Sequence, residues 1–64
     1  MIDQAKLRYQ IRLAKANNAD LYYKNFAEYI GISEHSFYNF MRGSYELSQA
    51  KARMLYDVTI DLVE

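Results

Sequence analysis

The chain has no cysteine, a single histidine and no net charge in 64 residues. The lack of cysteine excludes disulfide bonds and thiolate metal ligands, which is compatible with a reducing cytoplasm. Basic residues interrupt the apolar positions of the N-terminal region, so neither a signal peptide nor a membrane span is indicated. We therefore expect one small cytoplasmic domain, 1–64, whose modest core requires compact helical packing or a partner chain.

Catalytic and metal-binding patterns are also lacking. One histidine without cysteine, and carboxylates scattered over the chain, offer neither a metal cluster nor a nucleophile beside a positioned base. No glycine-rich loop that could hold a phosphate is present. We expect no enzymatic activity, no cofactor and no metal.

The zero net charge argues against a nucleic-acid partner, because affinity for DNA rests largely on phosphate neutralisation. The distribution is uneven, however. Residues 1–56 hold all eight basic residues and only five of the eight acidic ones, whereas the last eight residues hold the other three acids. A basic face on the body of the domain is compatible with this pattern.

The fifteen residues from Phe26 to Phe40 have the spacing of two helices joined by a tight turn. Phe26 and Ile30 are four apart and share a helical face. Gly31 follows, and a residue just past a helix end commonly needs the left-handed conformation that glycine adopts without strain. Ser33 is a suitable N-cap for the next helix, because its hydroxyl can accept from a backbone N–H two or three residues later.

The second of these helices is predicted over Glu34–Arg42, with Gly43 ending it. Its apolar face consists of Phe37, Phe40 and Met41, at three- and four-residue spacing. With Phe37 inward, the outward positions are His35, Asn39 and Arg42, flanked by Ser36 and Tyr38.

Two other helices are expected. The first runs from about Asp3 to Ala16, and the helix before Gly31 begins near Leu21. Ser48 caps the fourth, for which the predicted buried side is Ala50, Met54, Leu55 and Val58. The β-branched Thr59 and Ile60 weaken helical propensity and favour a turn there.

These residues resemble the helix-turn-helix of the lambda-repressor-like family, which includes phage repressors and Cro proteins. The likeness is carried by Phe26, Ala27, Ile30, Gly31, Ile32, Ser33, Phe37, Phe40, Arg42 and Gly43, and it extends over about 21–62. It implies an all-α fold, a small four- to five-helix bundle with the motif at about 22–42. Two departures concern the start of the first motif helix: Tyr22 stands where Ser or Thr usually caps, and Asp20 where glycine is usual. We expect Asp20 or Asn18 to cap instead.

The resemblance implies a homodimeric transcriptional regulator that places helix 34–42 in the major groove of a short palindromic operator. A phage or mobile-element origin is implied in the same way. The residues expected at bases or the adjacent backbone are Ser33, Glu34, His35, Ser36, Tyr38 and Asn39. Those expected at phosphates are Lys24, Asn25, Arg42, Ser44 and Tyr45. Dimerisation is expected through 56–63 or the loop before Ser48.

A second interpretation uses the same fold to bind another repressor or DNA-binding protein, as an antirepressor or co-regulator. The neutral charge favours it, and so does Glu34, which would face phosphates at the start of the recognition helix. The predicted interface anchors are Tyr38, Met41, Tyr45 and Tyr56.

Simpler interpretations compete for individual residues. His35 alone is compatible with an ordinary solvated side chain. The seven tyrosines are typical of half-buried packing with the hydroxyl in water rather than of base stacking, and Tyr38 is the exception to be tested. Four basic residues of the first helix are expected to form a solvated face: Lys6, Arg8, Arg12 and Lys15.

Overall fold

The computed structural model describes residues 1–63, which form four α-helices and no β-strand. The helices are α1 (Gln4–Asn17), α2 (Tyr23–Ile30), α3 (Glu34–Arg42) and α4 (Gln49–Leu62). The prediction of an all-α fold is confirmed for these residues. The predicted bounds of α3 agree with the structure, while α2 begins two residues later than expected.

Helix α1 begins at a side-chain cap. Asp3 Oδ1 accepts from the backbone N–H of Ala5 at 2.9 Å and of Lys6 at 3.3 Å, so two of the unpaired donors at the helix start are satisfied. The side chains of Leu7, Ile11 and Ala14 are buried. Their spacing of four and three residues places one stripe of α1 against the core.

Helices α1 and α4 lie side by side and run in the same direction. Near their starts, Gln4 Nε2 donates to Leu47 O at 3.1 Å and the N–H of Leu47 donates to Gln4 Oε1 at 3.2 Å. Near their ends, Asn18 Nδ2 donates to Leu62 O at 3.0 Å. Because start faces start and end faces end, the two helices form a parallel pair tied by amide side chains.

Aromatic rings from α2 and α3 form the centre of the core. Phe37 stacks on Phe26 with ring centroids 6.1 Å apart and lies 5.8 Å from the ring of Phe40. Phe37 and Phe40 are fully buried, and Ile32 of the turn packs against the core while half-buried. The buried hydrophobic residues are Leu7, Ile11, Ala14, Phe26, Ala27, Ile30, Phe37, Phe40, Met41, Leu47, Ala52 and Leu55.

The prediction for the buried side of α4 was wrong apart from Leu55. The structure buries Ala52, Leu55 and Thr59, whereas Ala50 and Met54 are exposed. Val58, also predicted to be buried, is only half-buried. Counting apolar residues selected the wrong side of the helix, because two of the three buried residues are a small alanine and a threonine.

Helix α4 continues through Thr59 and Ile60, although these β-branched residues favour a turn. The hydroxyl of Thr59 donates to Leu55 O at 2.6 Å, one helical turn back, and accepts from Gln10 Nε2 at 2.8 Å. The buried oxygen is therefore satisfied without leaving the helix. α4 continues to Leu62.

Candidate nucleic-acid interface

A three-residue turn, Gly31 to Ser33, joins α2 to α3. Gly31 has φ 77°, the left-handed region expected from the sequence. Its N–H donates to Glu28 O, and the next N–H, of Ile32, donates to Ala27 O at 3.0 Å. This pair of bonds is the Schellman arrangement that ends a helix and satisfies its last carbonyls.

Ser33 is the N-cap of α3, as predicted. Ser33 Oγ accepts from the N–H of Ser36 at 3.1 Å, and its own hydroxyl donates to Ser36 Oγ at 3.0 Å. Both serine hydroxyls are thus engaged at the helix start. Glu34 and His35 are exposed beside them.

The outward side of α3 carries the polar positions expected from the sequence. His35 and Arg42 are exposed and Asn39 is half-buried, while Phe37, Phe40 and Met41 point into the core. The structure therefore brings the three predicted outward side chains onto one exposed helix face. Burial of Met41 contradicts its predicted use as an exposed interface anchor, because it completes the apolar stripe of α3.

The end of α3 repeats the arrangement seen at the end of α2. Gly43 has φ 88°, and the N–H of Ser44 donates to Asn39 O at 3.0 Å. Ser44 Oγ donates to the same carbonyl at 3.1 Å. Tyr45 is exposed next in the chain. Two phosphate candidates, Ser44 and Tyr45, thus lie directly beyond the last turn of α3.

The start of α2 differs from the prediction. Neither Asp20 nor Asn18 caps it; Tyr22 is the N-cap, and its backbone N–H donates to Asn25 Oδ1 at 2.9 Å. Asn18 instead ties the end of α1 to α4. Asn25 supplies half of a capping box in a position where the tyrosine side chain provides no acceptor. Lys24 is exposed beside it.

Tyr38 stands at the edge of the exposed face of α3 and packs against α2. Its ring meets Tyr23 edge-on, with centroids 5.5 Å apart, and Lys15 Nζ of α1 lies 5.5 Å from the centroid of the Tyr23 ring. Tyr38 is nevertheless 46% exposed. The expectation of half-buried packing excepted Tyr38; it was wrong for four of the other six tyrosines, which are exposed: Tyr9, Tyr22, Tyr29 and Tyr45.

The expected solvated basic face of α1 was wrong for Arg8, which is half-buried, whereas Arg12 is exposed as expected but also contacts α3. Arg8 Nε donates to Phe40 O at 2.5 Å and Arg12 Nη2 donates to Met41 O at 3.3 Å, both in the last turn of α3. The guanidinium of Arg8 also lies 4.7 Å from the centroid of the Phe40 ring. The sequence contained one signal for this contact, the four-residue spacing that places both arginines on one side of α1.

Two basic residues of α4 are also engaged within the protein. Lys51 Nζ donates to Ile30 O at 2.9 Å, at the end of α2. Arg53 Nε pairs with Asp57 Oδ1 at 3.3 Å on the exposed side of the helix. The positive charge of this chain therefore partly serves its own helix ends, where it complements the negative end of the helix dipole.

Within residues 1–63, no three side chains of the metal-ligating types His, Asp and Glu come together. None of the helices in this range combines the length and the apolar character needed to cross a bilayer. Apart from Lys24 and Asn25 in the first turn of α2, the sequence-derived candidates for DNA contact lie on α3 or directly beside it in the chain. Comparison with protein families, curated proteins and solved structures yields no match for this chain.

Proposed function

We propose that this chain is a sequence-specific DNA-binding regulator of the lambda-repressor-like helix-turn-helix class, with α3 as its recognition helix. The observation that carries the proposal is the outward row of His35, Asn39 and Arg42, of which Asn39 is half-buried and the other two are exposed, on a short helix that is capped at both ends. A recognition helix needs such a row of donors and acceptors, because bases are read by hydrogen bonds in the major groove.

The row contains side chains suited to base edges. Asn pairs with adenine and Arg with guanine through two hydrogen bonds each, and Glu34 can accept from the amino group of cytosine. Ser33, Ser36 and Tyr38 flank the row. Lys24 and Asn25 at the start of α2, Arg42 at the end of α3, and Ser44 and Tyr45 beyond it are exposed at positions suited to phosphate contacts.

A homodimer follows from the proposal. A single domain of zero net charge offers few phosphate contacts, and two copies double them on a palindromic site. The expected interface remains 56–63 or the loop before Ser48. Met54 and Ile60 of α4 are exposed apolar residues near this region. Sedimentation tests this part: a monomer at high micromolar concentration, free and on DNA, contradicts it.

A second candidate function is binding to another DNA-binding protein. The observation that favours it is the internal use of Arg8, Arg12, Lys51 and Arg53, which leaves less basic charge for phosphates. Exposed aromatic rings such as Tyr22 and Tyr29 suit a protein interface. In this alternative the polar face of α3 contacts protein.

Selection from a random duplex library separates the two functions. The chain is used to enrich duplexes over several rounds, and the enriched duplex is then titrated by fluorescence anisotropy across a salt series, with a scrambled duplex as control. We expect enrichment of one palindromic sequence and an affinity that falls as salt rises. Failure to enrich any sequence contradicts the DNA-binding proposal and favours the protein-binding alternative.

A further inference from the structure

The last turn of α3 is held by groups from outside the helix. The carbonyl of Asn39 accepts from Ser44, that of Phe40 accepts from Arg8, and that of Met41 accepts from Arg12. The final carbonyls of a helix have no partner within it and ordinarily turn to water or a cap. Here two of them receive charged donors from a different helix.

Arg8 and Arg12 can act together because they are four residues apart and therefore lie on the same side of α1. Arg8 is half-buried and stacks over the Phe40 ring, whereas Arg12 is exposed and reaches the next carbonyl along the chain. Guanidinium groups bind carbonyl oxygens with planar geometry and gain from the negative end of the helix dipole. Arg8 and Arg12 thus tie α1 to the end of α3 by two charge-assisted hydrogen bonds.

The turn that they hold also carries outward polar side chains. Asn39 and Arg42 belong to it, and Arg42 donates to Asn39 Oδ1. A shift of the last turn of α3 against α1 moves both side chains relative to the rest of the domain. Phosphate contacts from α2 and base contacts from α3 need a fixed relative geometry if they are to be made at once.

We propose that Arg8 and Arg12 are positioning residues: they fix the last turn of α3 on the body of the domain instead of neutralising phosphates. The effect on DNA sequence discrimination rests on the proposed function. The attachment of α3 to α1 through Arg8 and Arg12 does not depend on DNA. Helix α1 would then contribute to sequence discrimination through the position of α3, without contacting a base itself.

The test compares Arg12→Gln with Lys6→Gln. Both substitutions remove one positive charge from an exposed position of α1. Lys6 is two residues before Arg8, hence on nearly the opposite side of the helix, and its side chain has no hydrogen-bond partner within residues 1–63. Arg12→Lys is the conservative variant, because it keeps the charge and a donor. Arg8→Gln is the second positioning variant, and circular dichroism checks that each variant folds.

Amide hydrogen exchange in the absence of DNA tests whether Arg8 and Arg12 stabilise the last turn of α3. We expect the amides of residues 43 and 44 to exchange about tenfold faster in Arg12→Gln, and at an unchanged rate in Lys6→Gln. Arg12→Lys is expected to recover most of the protection. Unchanged exchange in both Arg12→Gln and Arg8→Gln overturns the proposal, whatever the chain does with DNA.

Binding to the enriched and scrambled duplexes tests whether the two arginines contribute to sequence discrimination. For Arg12→Gln we expect the ratio of the two affinities to fall about tenfold, with the salt dependence of binding unchanged. A phosphate contact has the opposite signature: the slope of log K against log salt falls by about 0.9 and the ratio stays constant. That result overturns the positioning role. If the parent chain enriches no duplex, the DNA-binding proposal fails and the exchange result alone decides whether Arg8 and Arg12 stabilise the last turn of α3.

Discussion

Arg42 donates a hydrogen bond from Nη2 to Asn39 Oδ1 on the exposed side of α3. The outward side chains of Asn39 and Arg42 therefore orient one another. The amide nitrogen of Asn39 makes no hydrogen bond within residues 1–63, so it stays available as a donor. This bond makes the two residues a unit, and their substitutions are expected to be coupled.

The first prediction concerns this coupling. Asn39→Ala should cost about 1 to 3 kcal/mol of discrimination at one base pair of the enriched duplex, and Arg42→Ala should lower discrimination at the same or the adjacent pair. Because each variant also removes the orienting bond, the double variant should lose less than the two single losses combined. Lys24→Ala is the control, with an equal loss on all sequences. Additive losses from Asn39→Ala and Arg42→Ala contradict the coupling.

The two glycines that end α2 and α3 provide a matched pair for stability. Both have positive φ, and a Cβ added at either meets nothing closer than the Lys51 Nζ at 3.9 Å from Gly31. The cost of alanine is thus conformational, about 1 to 2 kcal/mol at each site in urea unfolding. Asn tolerates this region, so Gly31→Asn should cost less than Gly31→Ala. Equal losses for Ala and Asn are incompatible with a conformational cause.

The buried hydroxyl of Thr59 predicts that the stability lost in a single variant is recovered in a double variant. Thr59→Val leaves Gln10 Nε2 with only the Tyr56 carbonyl, at 3.2 Å, and should cost about 1 to 3 kcal/mol. Replacing both partners by apolar residues, Gln10→Met with Thr59→Val, should recover most of the loss, because no polar group is then left unpaired. Urea unfolding measures both. A double variant no more stable than Thr59→Val argues against this pairing.

Lys51 and Arg53 have different partners: Lys51 donates to a carbonyl at the end of α2, and Arg53 pairs with an exposed carboxylate of its own helix. Lys51→Gln removes the donor to Ile30 O at the end of α2 and should cost about 1 kcal/mol, since that carbonyl loses a charged partner. Arg53→Gln breaks an exposed i,i+4 pair with Asp57, worth about 0.3 to 0.5 kcal/mol. The same charge is removed from the same helix in each case. Thermal or urea unfolding should rank Lys51→Gln as the more damaging; the reverse order contradicts the role of Lys51.

Local signals in the sequence were sufficient for α3 and for the turn before it. Glycine at a helix end and serine at a helix start act within a few residues, and both positions behave as their backbone preferences require. The same holds for the aromatic side of α3, since burial follows from three- and four-residue spacing. These short-range rules place the candidate face on the outside of the domain.

Contacts between distant residues were beyond the sequence. Arg8 and Arg12 bind carbonyls 32 and 29 residues away. Their four-residue spacing places them on one side of α1, but nothing in the sequence shows what that side contacts. The burial of Thr59 depends on Gln10, 49 residues away, so a local apolar count selected the wrong side of α4. The role of Asn25 at the start of α2 was missed because the asparagine follows, rather than precedes, the residue that it caps.

The most direct test of the central claim is a nuclear magnetic resonance titration of isotopically labelled chain with the enriched duplex. The claim is that the exposed face of α3 contacts the bases. We expect the largest shifts at the side-chain amide of Asn39 and at the backbone amides of 33–45, with smaller shifts at the start of α2. Shifts confined to the exposed sides of α1 and α4, around Tyr9 and Met54, would contradict the account.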